Sequence, residues 1–322
     1  LRKNANLSYN DHKIPYISAN IVKAGTNETP DFLSKSTTIT RGDYKIGIVG
    51  SIGETLNKSI LKSCIEGYEF TNETAAINAE AKKLKDEGCD VVIVTSHNDI
   101  DLLKGNRYEN VDAIFGGHAH YSNRLTIDGY LPAVQTKNYG ASIAHIQLAI
   151  DKTTKAVTCS AFGYDDSPAN LTGLKENEDV KKIMNTYSSS IDDIKNIKLG
   201  KCDKDLTIKG ALKNVCVEGM YQGAVKGIKE LGLEIPEDKL IATFHNIEGG
   251  IRKDISKGEI KYGDVYGPFP FDNEIVLYKV KGSLLKSNLP QFASYAVRRT
   301  FASKDEIDNN NKTEESINKN KK

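Results

Sequence analysis

The sequence has no long apolar run, no excess of charge of either sign and no closely spaced pair of cysteines. A membrane-spanning helix needs about 20 consecutive apolar residues, and no stretch approaches that length. Lysine and arginine number 44 against 43 aspartates and glutamates, a balance that excludes the broad basic surface of a sequence-independent nucleic-acid-binding protein. Without a CxxC pair among its five cysteines, the chain is neither a zinc ribbon nor a dithiol redox protein. We therefore expect a soluble protein whose partners include no nucleic acid and which has no membrane-spanning segment.

What is present is enough chain for two domains. The length of 322 residues is roughly twice that of an average domain, and 39% apolar with 27% charged residues is close to the globular average. Residues 308–322 are instead almost wholly Asn, Lys, Glu, Ser and Thr. Because such a segment buries too little apolar surface to offset the entropy of ordering, we expect a disordered polar tail over residues 303–322.

Short β-branched runs alternate with a helical pattern in the first half of the chain. The alternation is typical of an α/β layer, and it is followed by a predicted hairpin at 144–150 and 155–161 that closes the first domain. A helix is predicted over residues 74–87, and the strands are predicted over residues 45–49, 90–95, 111–115 and 133–136.

The second half begins with apolar residues that recur at helical spacing from Glu178 to Ile194. This spacing predicts a linking helix within residues 176–200, after a first domain that spans residues 1–175. A smaller α/β domain is predicted over residues 201–302. Its predicted elements are a helix over 212–231, strands over 240–244 and 275–280, and a turn at Gly249-Gly250.

Three of the six histidines follow two of the predicted strands. His97 comes after the second strand, and His118 and His120 come after the third. Open α/β sheets bind ligands at the carboxyl ends of their parallel strands, and imidazole is a common ligand of zinc and similar ions. The glycines at 116 and 117 are expected to leave room for an ion or an anion. We expect the three imidazoles to form a metal-binding site.

Val94-Thr95-Ser96-His97 and Gly116-Gly117-His118-Ala119-His120 resemble the two later metal-binding motifs of a known family. This is the 5'-nucleotidase and 2',3'-cyclic-nucleotide phosphodiesterase family of calcineurin-like metallophosphoesterases. The resemblance extends from about residue 1 to about residue 290 and implies a partial metallophosphoesterase α/β sandwich, incomplete at its N-terminus, followed by a smaller α/β 5'-nucleotidase C-terminal domain. Six further segments resemble the family in order and spacing: 14–21, 134–140, 249–252, 257–260, 270–273 and 280–282.

The resemblance implies a hydrolase that uses two divalent ions, Zn or Mn, to promote attack of water on the phosphate of a nucleotide or a related ester. His97 and His118 correspond to ligands of one ion, and His120 corresponds to a ligand of the other. Arg252 corresponds to an arginine that holds the substrate phosphate, for which its planar fork is suited. The nucleoside-binding positions implied by the resemblance are Asn246, Gly249, Gly250 and Phe271.

The family's first metal motif, its bridging aspartate and its catalytic histidine motif have no counterpart in the sequence, so no catalytic residue is assigned. Three functions stay open. The chain is part of a secreted nucleotidase whose other ligands lie upstream, or a non-catalytic extracellular structural or binding glycoprotein on the same scaffold, or an enzyme with a single-metal site on the three histidines. Six Asn-x-Ser/Thr acceptor sequences give weak support to an extracellular or secreted location.

Overall fold

The computed structural model describes residues 8–9, 12–166, 173–235, 242–247, 249–271, 273–288 and 295–299. The chain divides into two compact units, Leu1–Lys175 and Glu176–Lys322. Both units combine helices with strands, so the predicted α/β class is confirmed.

The first unit contains most of the strands. Its helices are α1 (Lys62–Ile65), α2 (Glu73–Asp86) and α3 (Ile100–Leu103), with a 3₁₀ helix at Glu54–Ser59. Its strands are β1 (Ser8–Tyr9), β2 (His12–Lys13), β3 (Ile21–Lys23), β4 (Ser36–Arg41), β5 (Tyr44–Ile52), β6 (Tyr68–Phe70), β7 (Val91–His97), β8 (Ala113–Phe115), β9 (Asn123–Ile127), β10 (Leu131–Gln135), β11 (Ile143–Ile150) and β12 (Val157–Asp165).

A six-stranded sheet in the order β4-β5-β7-β8-β10-β9 forms the centre of this unit. β5, β7, β8 and β10 run parallel to one another, whereas β4 and β9 are antiparallel edge strands. Ile52 at the end of β5 is paired with His97 at the end of β7, and Phe115 at the end of β8 is paired with Val134 in β10. The loops that follow the four parallel strands therefore begin at one edge of the sheet.

Helix α2 packs on this sheet because its apolar residues recur on one face. Ile77, Ala81 and Leu84 are buried at a spacing of four and three residues, together with β-branched residues of the parallel strands. The helix begins after Asn72, whose side chain accepts a hydrogen bond from the Ala75 N–H at 2.9 Å. Leu84 packs against β5 at Gly47. A residue with a side chain would not fit at position 47, because its Cβ would lie 2.8 Å from Leu84 Cδ1.

The substitution Asp90→Asn is expected to remove a pH-dependent contribution to stability. Asp90 accepts a hydrogen bond from the Lys45 N–H at 2.8 Å and lies 3.2 Å from Lys155 Nζ, and these two contacts hold the pKa of the carboxyl below its ordinary value. A lowered pKa in the folded state stabilises the protein above the ordinary pKa of 3.8, and the effect is lost as the pH falls below that value.

Thermal unfolding of the wild type and of Asp90→Asn, measured from neutral pH down to about pH 3, checks this expectation. The midpoint of the variant is expected to be lower at neutral pH, and the difference to shrink in acid. Asp193→Asn, at an exposed position of the second unit, is the control. A difference that is independent of pH would contradict the assignment.

The second unit has a small core of its own. Leu212, Ile251 and Ile255 are buried there, and Phe269 packs against them. The helices are α4 (Glu178–Lys195), α5 (Leu212–Glu230), α6 (Tyr262–Tyr266) and α7 (Gly282–Asn288), and the strands are β13 (Lys198–Cys202), β14 (Ala242–Asn246), β15 (Gly258–Lys261) and β16 (Tyr295–Arg299). β13 pairs with β15 and β14 pairs with β16, both antiparallel.

The strand predicted over residues 275–280 is wrong, because residues 273–281 form neither a strand nor a helix. Val276 and Tyr278 are 57% and 81% exposed, and within the described ranges no strand pairs with this segment.

The apolar face of α4 is exposed, and no residue of that helix is buried. The tail predicted over residues 303–322 lies outside the described residues. None of the helices that the structure describes is long and apolar enough to cross a membrane.

Candidate metal centre and nucleotide site

The rings of His97 and His118 meet at the carboxyl edge of the sheet. His97 is the last residue of β7, and His118 lies in the loop that follows β8. His118 Nδ1 is 3.2 Å from His97 Nε2, and the ring centroids are 5.1 Å apart. Two nitrogens that bind one tetrahedral zinc ion are separated by about 3.3 Å, given a Zn–N bond of about 2.05 Å. The pair therefore has the separation of two ligands of one ion, which is also compatible with a hydrogen bond between two neutral rings.

Burial of part of the His97 ring, followed by the charges of His118 and His120, holds the pKa of His97 below its ordinary value. A lowered pKa favours the neutral ring, which is the form that binds metal. Among the residues that the structure describes, however, no three His, Cys, Asp or Glu side chains are grouped so as to hold a metal ion. The structure thus brings His97 and His118 together and does not complete a three-ligand site with His120.

The loop after β8 has an unusual backbone. His118 and His120 have φ values of 69° and 61°, in the left-handed region that residues other than glycine rarely adopt. Such conformations persist where the surrounding structure holds them, and they are frequent at functional sites. A Cβ on Gly116 would lie 2.3 Å from Ile100 Cγ2, whereas a Cβ on Gly117 would meet only the Ser96 carbonyl oxygen at 3.8 Å. Gly116 is required because α3 packs against the loop at this point. The room for an ion or an anion that the two glycines are expected to leave stays a prediction.

The acidic residues near the histidines have partners of their own. The Tyr121 hydroxyl lies 2.8 Å from Asp101 Oδ2 and 2.9 Å from Asp99 Oδ2, and these hydrogen bonds raise the pKa of Tyr121. Asp112 is near the histidines in sequence only: it precedes β8 and lies at the amino end of the parallel strands, where its Oδ2 accepts hydrogen bonds from Lys85 Nζ and from the Val92 N–H. The contacts of Asp99 and Asp101 give them structural roles at the carboxyl edge of the sheet, and those of Asp112 give it one at the opposite edge.

One buried acidic residue of this region was missed by the sequence reasoning. Glu73 lies in the first turn of α2 and accepts hydrogen bonds from Ser51, Ser96 and Asn98. An acidic residue in the first turn of a helix is ordinary, because it interacts favourably with the helix dipole. Only the fold shows that this residue lies beneath the end of β7, which carries His97.

In the second unit, Arg252 lies against Phe271. The guanidinium carbon is 4.9 Å from the centroid of the ring, within the range of a cation–π contact. The Arg252 N–H donates to the Pro268 carbonyl oxygen at 2.9 Å, which joins the arginine to the segment that leads to Phe271. Phe271 is 46% exposed. This unit therefore presents a cation and an aromatic surface side by side.

The other predicted nucleoside-binding residues form a tight turn. Asn246 ends β14, and Gly249 has a φ of 73°. A Cβ on Gly250 would lie 2.2 Å from the Asn246 carbonyl oxygen, so glycine is needed there. A role in nucleoside binding for these three residues stays a prediction.

Residues 238–314 match the family model described as 5'-nucleotidase, C-terminal domain. The chain is 25% identical over 295 residues to Endonuclease YhcR of Bacillus subtilis (strain 168), a match that covers 86% of this chain and 23% of the relative. It is 24% identical over 310 residues to the Trifunctional nucleotide phosphoesterase protein YfkN of the same organism, with 87% and 20% covered. The chain thus spans less than a quarter of the length of these curated relatives.

The fold is similar to that of a 5'-nucleotidase precursor from Thermus thermophilus. The TM-score is 0.64 at 19% identity, and the match covers 88% of this chain and 60% of that chain. This similarity confirms the predicted fold class, an α/β unit followed by a smaller α/β unit.

Proposed function

We propose that this chain takes part in metal-dependent hydrolysis of nucleotide phosphate esters. The proposal is supported by the match to the 5'-nucleotidase C-terminal domain, by the similarity to a nucleotide phosphoesterase and by the similarity of the fold to that of a 5'-nucleotidase precursor. The observation that carries the proposal is the 3.2 Å approach of His118 Nδ1 to His97 Nε2 at the carboxyl edge of the sheet. Two neutral imidazole nitrogens at this separation suit one divalent ion of the Zn or Mn type.

His97 and His118 would hold the ion, and a bound divalent ion would supply Lewis acidity toward a phosphate ester. Two neutral imidazoles leave the double positive charge of an ion uncompensated. A complete two-ion site therefore takes anionic ligands in addition, and the described residues form no group of three ligands. In this proposal His97 and His118 would be part of such a site. His120, for which the sequence predicts a role at a second ion, is proposed as a ligand in that complete site.

The second unit would bind the substrate. The Arg252 guanidinium offers paired N–H donors to the oxygens of a phosphate group. The exposed ring of Phe271 offers a face on which a nucleoside base can stack. Because the guanidinium already lies over this ring, phosphate and base would be bound by neighbouring side chains of one unit.

Release of inorganic phosphate from a nucleoside monophosphate, with added manganese or zinc and with a chelator, tests the proposal. Because this chain carries only part of the two-ion site, phosphate release is expected to be weak or absent, to depend on either metal where it occurs and to stop after chelation. A 2',3'-cyclic nucleotide in a parallel reaction, with the 2'- or 3'-monophosphate that diester hydrolysis forms measured by chromatography, separates monoester from diester hydrolysis. If the chain binds no metal, releases no phosphate from the monophosphate and forms no monophosphate from the cyclic nucleotide, catalysis by this polypeptide is excluded.

A non-catalytic extracellular structural or binding glycoprotein is the second candidate function. It is favoured by the finding that the part of the chain covered by the structure forms no three-ligand group. Asn27, one of the acceptor sequences, is exposed and could carry a glycan in a secreted protein. Retention of a nucleoside monophosphate in equilibrium dialysis, without phosphate release in the presence of metal, would favour this function over hydrolysis.

A further inference from the structure

A buried carboxylate lies beneath the end of β7, where His97 is the last residue. Glu73 is 5% exposed, and its Oε1 accepts hydrogen bonds from the hydroxyls of Ser51 and Ser96. Its Oε2 accepts a hydrogen bond from Asn98 Nδ2 at 2.7 Å. The three donors come from the end of β5, the end of β7 and the residue that follows β7, and all three are buried. One carboxylate thus joins α2 to two adjacent strand ends.

The partners of Glu73 in this network are neutral. A carboxylate inside a protein is costly unless its oxygens are hydrogen-bonded, and hydrogen bonds to a charged acceptor are stronger than those between neutral groups. Loss of the carboxylate would leave the Asn98 amide without its buried acceptor. The geometry of these donors therefore depends on Glu73.

The network reaches the end of β7, which carries His97, and the loop after β8, which carries His118. Ser96 and Asn98 flank His97 in the chain, so the carboxylate holds the residues on both sides of this histidine. The Asn98 carbonyl oxygen accepts a hydrogen bond from the Gly117 N–H at 2.9 Å, and Gly117 immediately precedes His118. Glu73 is therefore connected to His97 through Ser96 and Asn98, and to His118 through Asn98 and Gly117.

We propose that Glu73 is a positioning residue that sets the separation of His97 and His118 by holding Asn98. This rests on the proposed function, since the pair it positions is the proposed ion-binding pair. Glu73 contacts neither the ion nor the substrate in this account. Its effect on a bound ion would be exerted through the placement of the two rings, as with other residues that orient metal ligands.

The test compares Glu73→Ala and Glu73→Gln with Glu80→Ala in the 322-residue chain. Glu80 is the matched control because it lies two turns further along α2, is also 5% exposed and is hydrogen-bonded to Ser36, far along the helix from the histidine loops. Glu73→Gln can keep the network, since its carbonyl oxygen can accept from Asn98 while its amide donates to a serine hydroxyl.

The first measurement is the nuclear Overhauser effect between the ring protons of His97 and His118 in metal-free protein. We expect it to be lost in Glu73→Ala and kept in Glu73→Gln and Glu80→Ala. The second measurement is the dissociation constant for zinc, expected to rise about 10- to 100-fold in Glu73→Ala alone, the range found when residues that orient metal ligands are removed.

A folded Glu73→Ala variant that keeps the ring contact and the zinc affinity would overturn the proposal, as would a Glu73→Gln variant that loses both. If Glu73→Ala does not fold, Asn98→Ala takes its place, and the same loss of the ring contact is expected. Ring contacts that respond as expected, in a wild-type chain that binds no zinc, would contradict the proposed function while leaving the positioning role of Glu73 supported.

Discussion

Replacement of His118 by alanine is expected to abolish the binding of zinc or manganese by this chain. His118 Nδ1 and His97 Nε2 are the two nitrogens that converge at the edge of the sheet, and the substitution leaves a single imidazole there. The loss of affinity should exceed the roughly 100-fold upper range for residues that only orient a metal ligand. Metal content after dialysis and titration calorimetry with zinc both measure the effect.

His145→Ala is the control for this experiment, because it removes an exposed imidazole from β11 of the same unit. Its metal content should equal that of the wild type. Equal metal content in His118→Ala would remove His118 from the site and would indicate that the 3.2 Å approach is a hydrogen bond between two neutral rings.

The substitution Arg252→Ala is expected to weaken nucleoside monophosphate binding by roughly 10- to 150-fold, which corresponds to the loss of about 1.5–3 kcal/mol for hydrogen bonds to a charged group. Arg252→Lys keeps the charge but lacks the planar fork, so an intermediate affinity is expected. Equilibrium dissociation constants for the nucleotide, measured by calorimetry without added metal, check both values and separate this site from the histidine pair.

Lys257→Ala removes an exposed positive charge from the same unit and is the matched control. It should bind the nucleotide as the wild type does. If Arg252→Ala and Lys257→Ala bind with the same affinity, Arg252 does not hold the phosphate, and its contact with Phe271 is structural.

The sheet of the first unit could be predicted from the sequence because its strands are short β-branched runs with clear ends. The run predicted over residues 45–49 lies within β5, and the one predicted over 90–95 overlaps β7. The run over 275–280 has a similar composition but forms no strand. A strand needs a partner as well as a suitable composition, and β14 pairs with β16 instead.

The meeting of His97 and His118 was also predictable, because residues that follow adjacent parallel strands must lie at one edge of a sheet. The position of His120 was not, since it lies two residues further along a loop in which both His118 and His120 have left-handed backbone angles. Glu73 precedes His97 by a helix and a strand, and nothing in its local sequence separates it from other acidic residues that begin helices. Its role depends on how α2 packs on the sheet.

His97 and His118 are proposed to bind one divalent ion through the nitrogens that approach each other. X-ray absorption at the zinc edge, on the chain mixed with one equivalent of zinc, tests this binding. The spectrum is expected to show imidazole nitrogens at about 2.0–2.1 Å, with at least two histidine ligands in the wild type and fewer in His118→Ala. A spectrum without imidazole ligands, or one that is the same in the wild type and in His118→Ala, would contradict it.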